Sequence, residues 1–145
     1  MWASALFKAS IFRIDQKMSS GQKILVIDDD KDMVEALKII LEGESYKVKA
    51  AFDGKQGLEI IRKERPDLII LDLLLPGEDG VAISRSLKDS PEYQDIPILV
   101  LTALARKMED KIFPRRGKKA LKADGYLDKP INPEILLAKV KKLLK

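Results

Sequence analysis

The chain has 145 residues, 46% of them hydrophobic and 34% charged, which predicts a single globular domain. It has no cysteine and no histidine, which excludes disulfides, thiolate metal sites, histidine bases and a phosphohistidine carried by this chain. The net charge is +4 but unevenly spread, because residues 105–122 alone hold eight basic and two acidic residues.

Residues 1–21 precede the regular pattern of the chain. Apolar residues recur at helical spacing between Ala3 and Ile14, but Lys8 and Arg13 interrupt them and no convincing signal-peptide cleavage site follows. We interpret residues 1–21 as an N-terminal extension, peripheral to a domain of residues 22–145, with either Met1 or Met18 as the true start. No apolar stretch in the chain approaches the roughly 18 residues of a membrane span, so we expect a soluble, cytoplasmic protein.

From Lys23 onward, strand-like and helix-like patterns alternate. Apolar runs and alternating polarity predict five strands, at residues 23–27, 46–52, 67–72, 98–101 and 124–129. Helical spacing, together with glycine and proline boundaries, predicts five helices. The first three lie at 33–42, from 54 to Pro66 and at 80–88. The fourth is a charged segment after residue 102 that is interrupted at Pro114, and the fifth lies at 133–144.

The apolar faces of the first and last predicted helices indicate which side chains enter the core. In the first helix these are Met33, Val34, Leu37, Ile40 and Leu41. In the last helix they are Ile135, Leu136, Val140, Leu143 and Leu144.

This alternation predicts an α/β fold, a doubly wound parallel sheet of five strands covered by helices on both faces. The continuous apolar runs at 23–27, 67–72 and 98–101 are expected to be its central strands. In such sheets ligands bind beyond the carboxyl ends of the strands, where the strand order reverses.

Polar residues stand at those strand ends. Asp28 and Asp29 follow the first strand, Asp72 ends the third, Thr102 follows the fourth and Lys129 the fifth. Converging carboxylates repel by about 4 kcal/mol per pair near 4 Å at an effective dielectric of 20, so a cation must offset them. A hard divalent ion with oxygen ligands, Mg²⁺ above all, suits the cluster.

Helix capping accounts for some acidic residues but not for all. We predict Asp30 as the N-cap of the first helix and Asp32 as an acid of its first turn, with Glu35 completing a capping-type spacing. Asp72 precedes a stretch with no helix to cap, which favours a role in the cation site.

Four segments of the chain, in register, resemble the receiver domains of two-component response regulators. They are ILVIDDD (24–30), DLIILDLLLPGEDG (67–80), ILVLTA (98–103) and GYLDKP (125–130). The resemblance implies a flavodoxin-like (βα)5 fold with strand order 2-1-3-4-5, and a single-domain response regulator.

Carried over by position, the resemblance implies a phosphorylation site. Asp72 is the phosphoacceptor and a metal ligand, Asp29 binds Mg²⁺ directly, and Asp28 binds it through water. The backbone carbonyl of Leu74 supplies another metal ligand, and Lys129 pairs with a phosphoryl oxygen.

The resemblance also implies a switch and its partners. Thr102 donates its hydroxyl to the phosphoryl group and Tyr126 is the aromatic rotamer switch, which together alter the surface of the fourth helix, fifth strand and fifth helix. The expected partners are a sensor histidine kinase or phosphotransfer protein, a downstream protein target and a second copy in a phosphorylation-dependent dimer.

The chain departs from the family pattern between Thr102 and Lys129, which are about five residues further apart than usual. Lys122 stands where the family commonly has glycine, and the excess falls in the basic segment around 111–122. We favour a solvated basic face there over an acidic protein partner, and we do not expect nucleic acid. Leu74 and Leu104 are apolar at positions that, in the family this chain resembles, influence the hydrolytic water, so the resemblance implies a long-lived phosphoaspartate.

For a receiver we expect switching rather than enzymatic turnover. Two other functions stay open beside it. An aspartate-nucleophile, Mg²⁺-dependent phosphatase uses two acids spaced two residues apart on the first strand, a spacing that Asp28 and Asp30 permit. A receiver-like module that binds a partner without phosphorylation is the other alternative.

Overall fold

The computed structural model describes residues 21–75, 80–102 and 122–145. It contains five strands: β1 (Lys23–Ile27), β2 (Lys47–Ala51), β3 (Leu68–Asp72), β4 (Ile98–Thr102) and β5 (Gly125–Asp128). Four helices accompany them: α1 (Lys31–Glu42), α2 (Gly54–Lys63), α3 (Gly80–Asp89) and α4 (Pro133–Leu143). Residues 1–20 of the predicted extension (1–21), and the predicted helix between β4 and β5, lie outside the described residues.

The strands form one parallel sheet in the order β2-β1-β3-β4-β5, which confirms the predicted fold and the central position of β1, β3 and β4. Helices α2 and α3 pack on one face of the sheet, and α1 and α4 pack on the other. Every residue of β3 and of β4 is buried because helices cover both faces. None of the four described helices has the length and apolar run that crossing a bilayer requires.

Asp30 is the N-cap of helix α1, as the sequence predicted, although the helix begins at Lys31, two residues before the predicted range of 33–42. The side chain of Asp30 accepts hydrogen bonds from the backbone N–H groups of Asp32 (3.0 Å) and Met33 (3.2 Å), as expected of an N-cap. Val34, Leu37 and Leu41 of this helix are buried, which confirms its predicted core face. The cap fixes the turn that follows β1, and this turn carries Asp28 and Asp29.

The predicted core face of α4 was wrong at one position. Leu136 and Val140 are fully buried, whereas Ile135 is 47% exposed. Leu136, Val140 and Leu143 follow the i, i+4, i+7 spacing of a single stripe, and Ile135 lies about 100° around the helix from Leu136. The helix therefore turns Ile135 toward solvent.

Helix α3 begins directly against the end of β3. A Cβ atom at Gly80 would lie 2.5 Å from the carbonyl oxygen of Asp72 and 2.7 Å from the Cα of Leu73, closer than side-chain atoms approach backbone. Only glycine permits this approach, so Gly80 sets the distance between α3 and the predicted phosphoacceptor.

The far half of α3 is tied to the start of β5. The hydroxyl of Ser84, which is fully buried, donates to the carbonyl of Lys122, and the ammonium of Lys122 forms an ion pair with Asp89. Lys88 forms an ion pair with Asp124 at 2.5 Å, and Asp124 accepts the backbone N–H of Ile98 at 2.8 Å. These contacts fix the residues that lead into β5 against α3 and β4.

Candidate metal centre at the carboxyl ends of the strands

The fold brings together the three acids that the sequence singled out. Asp28 and Asp29 follow β1, Asp72 ends β3, and the two strands are neighbours in the sheet. One carboxylate oxygen from each residue lies within 4.8 Å of the others. Asp28 and Asp72 are buried and Asp29 is exposed, so the cluster opens to solvent on one side.

Hydrogen bonds fix the orientation of Asp28. Its backbone N–H donates to the carbonyl of Ala51 on β2 at 3.0 Å. Its carboxylate Oδ1 accepts the backbone N–H of Asp30 at 3.0 Å, while Oδ2 accepts the ammonium of Lys129 at 3.2 Å. The side chain is thus held in the cluster from both sides.

Lys129 supplies the positive charge that faces the acids. Its Nζ lies 3.2 Å from Oδ2 of Asp28 and 3.5 Å from Oδ2 of Asp72. Its backbone N–H donates to the carbonyl of Thr102 at 2.9 Å, so the end of β4 fixes the position of the Lys129 backbone. One ammonium bridges two buried carboxylates.

The pKa values of these groups reflect both burial and charge. Burial raises the pKa of Asp28 above its ordinary value and the charge of Asp72 adds to this, although the N–H of Asp30 and the ammonium of Lys129 oppose them. Burial acts to lower the pKa of Lys129, but the carboxylates of Asp28 and Asp72 outweigh it and raise that pKa. Lys129 is therefore held in its charged form beside the acids.

Asp72 keeps one oxygen toward Lys129 and the other toward the following loop. Its Oδ1 accepts the backbone N–H of Leu74 at 3.1 Å. The side chain of Leu74 is 48% exposed and offers no polar group beside the carboxylate. The predicted metal-binding role of the Leu74 carbonyl stays a prediction.

The donor set fits a small, hard cation. Carboxylates from Asp28, Asp29 and Asp72 would hold the ion, and the open side next to Asp29 leaves room for water ligands, which Mg²⁺ retains. Such an ion would also relieve the repulsion that Lys129 alone offsets incompletely, since three carboxylates face one ammonium.

The two predicted switch residues lie on neighbouring strands. Thr102 ends β4 and is 1% exposed, and β4 pairs with β3 so that Leu101 is opposite Asp72. Tyr126 is half-buried on β5 opposite Val100, and burial, then the charge of Asp124, raises the pKa of its hydroxyl. Their roles in switching stay predictions, and Leu104 lies outside the described residues.

Sequence reasoning overlooked two residues next to this site. It treated Gly80 only as a helix start, and it gave no role to Ser84. A glycine at the first position of a helix, a few residues after an acidic strand end, is a signal for the close approach found here. Ser84 carries no comparable signal, because its partner is 38 residues away.

Comparison with known proteins agrees with the geometry. The sequence model of the response regulator receiver domain matches residues 24–141, and the chain belongs to this family. It is 38% identical over 124 residues to the DNA-binding response regulator MtrA of Mycobacterium tuberculosis (strain ATCC 25618 / H37Rv), an alignment that covers 86% of this chain and 51% of MtrA. The chain thus spans about half the length of the curated relatives it matches.

Solved structures show the same fold. A putative response regulator from Chloroflexus aurantiacus J-10-fl superimposes with a TM-score of 0.76 at 35% identity, over 86% of this chain and 98% of that one. The chemotaxis response regulator CheY4 of Vibrio cholerae gives a TM-score of 0.74 at 31% identity, over 86% and 100%. The chain therefore matches solved chains along nearly their whole length and about half of the longer regulator MtrA.

Proposed function

We propose that this receiver domain accepts a phosphoryl group on Asp72 from a histidine kinase or a phosphotransfer protein, in a reaction that needs Mg²⁺. One observation carries the proposal. The carboxylate of Asp72 meets two other carboxylates and the Lys129 ammonium at the edge of the sheet where ligands bind. Asp72 is the one of the three acids that ends its strand beside both β1 and β4.

The chemistry follows from the charges at the site. An oxygen of Asp72 attacks phosphorus in line, the new P–O bond forms as the P–N bond of the donor phosphohistidine breaks, and the donor imidazole leaves. The ammonium of Lys129 is already paired with the carboxylate of Asp72. During the transfer it would pair with a phosphoryl oxygen instead. Bound Mg²⁺ supplies further positive charge to the phosphoryl oxygens.

The proposed output is a change of surface. The product bears a charge of about −1.5 to −2 where about −1 stood. This anion attracts the hydroxyl of Thr102, and the space that opens admits the ring of Tyr126, which alters the surface near β5 and α4. A partner protein or a second copy of the chain would read that change.

Two contacts favour a phosphoacceptor over a phosphatase. The phosphatase alternative needs Asp28 and Asp30 as nucleophile and second acid. Instead the carboxylate of Asp30 is committed to the N-terminus of α1, where it accepts the backbone N–H groups of Asp32 and Met33. We therefore propose a switch that is phosphorylated stoichiometrically, without enzymatic turnover of phosphate esters.

The proposed switch acts on an output partner. The MtrA relatives are named as DNA-binding proteins, so they do not support our expectation that nucleic acid plays no part. We propose a protein target for the surface near β5 and α4. Gel-shift measurements with DNA, before and after phosphorylation, test the alternative.

Incubation with acetyl phosphate and Mg²⁺, followed by intact-mass measurement, tests the proposal. We expect one phosphoryl group per chain, and none in Asp72→Asn or when a chelator removes Mg²⁺. A phosphorylated Asp72→Asn variant would contradict the assignment of the acceptor. Steady hydrolysis of p-nitrophenyl phosphate, with no accumulated phosphoprotein, would support the phosphatase instead.

Unchanged partner binding in Asp72→Asn would support the third alternative, a module that acts without phosphorylation. This comparison needs a captured partner, so the mass measurement comes first.

A further inference from the structure

A cavity of about 140 Å³ lies at the amino ends of β1 and β2, the end of the sheet opposite the acidic cluster. Apolar side chains form much of its wall, and they come from β1, β2, α2 and the residues that follow α2. They are Ile24, Leu25, Val48, Ile60 and Pro66. No residue of the acidic cluster lines it.

The size of the cavity limits what it can hold. An engineered cavity of about 150 Å³ lined by aliphatic side chains binds benzene, so this one has room for a single aromatic ring. A protein partner would bury about 800 Å² on each side, far more than one ring provides. A small molecule suits this cavity better than a folded partner does.

Charged side chains surround the apolar wall. Three lysines, Lys23, Lys47 and Lys49, and one acid, Glu64, line the cavity, which gives a local charge of +2. The carboxylate of Glu64 lies 3.0 Å from Nζ of Lys23 and also forms an ion pair with Lys49. Lys47 forms no ion pair within the described part of the chain, so one ammonium stays available to a bound anion.

The ionisation of Glu64 agrees with this excess of positive charge. Hydrogen bonds from Lys49 and Lys23, together with their charges, lower the pKa of the Glu64 carboxyl to about 2. A second carboxylate brought to this rim would meet the same cations, and the neighbouring Lys47 would supply a third.

We propose that this cavity binds a small aromatic carboxylate, with its ring against Leu25 and Ile60 and its carboxylate on Lys47. The volume of the cavity admits one aromatic ring, and the positive charge of its rim favours an anion. The site is independent of the proposed phosphorylation, because it lies at the first residues of β1 and β2, whereas the acids follow the last residues of β1 and β3.

Amide NMR of the whole chain, titrated with phenylacetate, tests the proposal. We expect saturable shifts at Leu25, Val48 and Ile60. Phenylacetamide, which has the same ring but no charge, should bind about two- to fivefold more weakly, as expected for the loss of one exposed ion pair.

Two variants separate charge from shape. Lys47→Gln should weaken phenylacetate by a similar factor, while Lys55→Gln, an exposed lysine at the opposite end of α2 from the residues that line the cavity, should not. Ile60→Phe should fill the cavity and abolish the shifts. Phosphorylation of Asp72 by acetyl phosphate checks that each variant is folded, and Asp72→Asn should bind phenylacetate normally.

The proposal would be overturned by the absence of saturable shifts in the wild type, by equal binding of phenylacetate and phenylacetamide, or by shifts confined to other surfaces. Binding of an acidic, aromatic peptide without binding of phenylacetate would assign the cavity to a protein partner and would also overturn it. If Ile60→Phe fails to fold, the comparison of Lys47→Gln with Lys55→Gln decides.

Discussion

At the scale of single residues, the position of Lys129 between Asp28 and Asp72 determines the charge balance of the site. Two buried carboxylates share one ammonium, at 3.2 and 3.5 Å, while the exposed Asp29 adds a third negative charge. Because burial makes an unpaired charge costly, the ammonium stabilises the fold before any cation binds. A bound cation would then take over part of that role.

We predict that Lys129→Met lowers the free energy of unfolding by about 3 kcal/mol without Mg²⁺, because two buried carboxylates lose their partner. Added Mg²⁺ should restore more stability to the variant than to the wild type, since the ion replaces the lost charge. Urea unfolding with and without Mg²⁺ measures this, with the exposed Lys141→Met as control. Equal stabilisation of variant and wild type by Mg²⁺ would contradict the prediction.

Leu74 determines, in our proposal, how long the phosphoryl group persists. Its half-exposed side chain lies next to the acceptor but cannot orient an attacking water. We expect Leu74→Asn to accelerate dephosphorylation several-fold, because an amide can hydrogen-bond that water. The decay of phosphoprotein in the presence of Mg²⁺ gives the rate, and Leu74→Met, which stays apolar, should decay like the wild type. A Leu74→Asn rate equal to that of wild type would refute the idea.

At the scale of elements, the contact between α3 and β3 matters most to the site. We predict that Gly80→Ala destabilises the fold by about 2 kcal/mol and slows phosphorylation, because its Cβ forces α3 away from Asp72. Gly43→Ala is a matched control, since Gly43 has helical φ and ψ angles and its nearest carbonyl is 3.3 Å from an added Cβ. Thermal unfolding and the acetyl phosphate reaction measure both effects. Equal behaviour of the two variants would contradict the prediction.

The contact between the end of α2 and the edge of the sheet has a measurable pH dependence. The pKa of Glu64 is lowered from 4.5 to about 2, so its ion pairs stabilise the fold fully above pH 4.5 and lose that effect as the pH falls through 2. Glu64→Gln should thus be less stable than wild type at neutral pH, with a difference that shrinks below pH 4.5. Urea unfolding across this range measures it, with Glu35→Gln as control. A difference independent of pH would exclude the ion pairs as its cause.

At the scale of the whole molecule, stability should follow the order of the strands. β3 and β4 are buried along their full length, while β2 lies at the edge of the sheet with Lys47 and Lys49 exposed. We expect amide hydrogen exchange to be slowest in β3 and faster in β2 and β5, since edge strands open without disrupting the core. Residue-resolved exchange by NMR measures this. Protection in β2 equal to that in β3 would show that the sheet opens only as a unit.

Much of the fold could be predicted because its signals are local. Apolar runs marked β1, β3 and β4, and the acids at their ends marked the edge where Asp28, Asp29 and Asp72 converge. The ion pair between Asp28 and Lys129 was not predictable as a contact, because 101 residues separate the partners and only the strand order brings them together.

The features that sequence reasoning missed depend on packing in three dimensions. The exposure of Ile135 follows from how α4 is rotated against the sheet. The apolar residues of this helix cover a wide arc of its surface, so the sequence alone does not define that rotation. The hydrogen bond of Ser84 to Lys122 and the apolar cavity at the start of β2 likewise arise only once the helices are in place.

The anchoring of Lys122 bears on how this scaffold can diversify. The carbonyl of Thr102 accepts the backbone N–H of Lys129, and the carbonyl of Lys122 accepts the hydroxyl of Ser84, so the end of β4 and the residue that leads into β5 are each held to another element of the fold. Substitutions that keep Ser84 and the pairing of β4 with β5 should therefore leave both points in place, which makes these two contacts the part of the scaffold that lineages, or protein engineers, would have to retain.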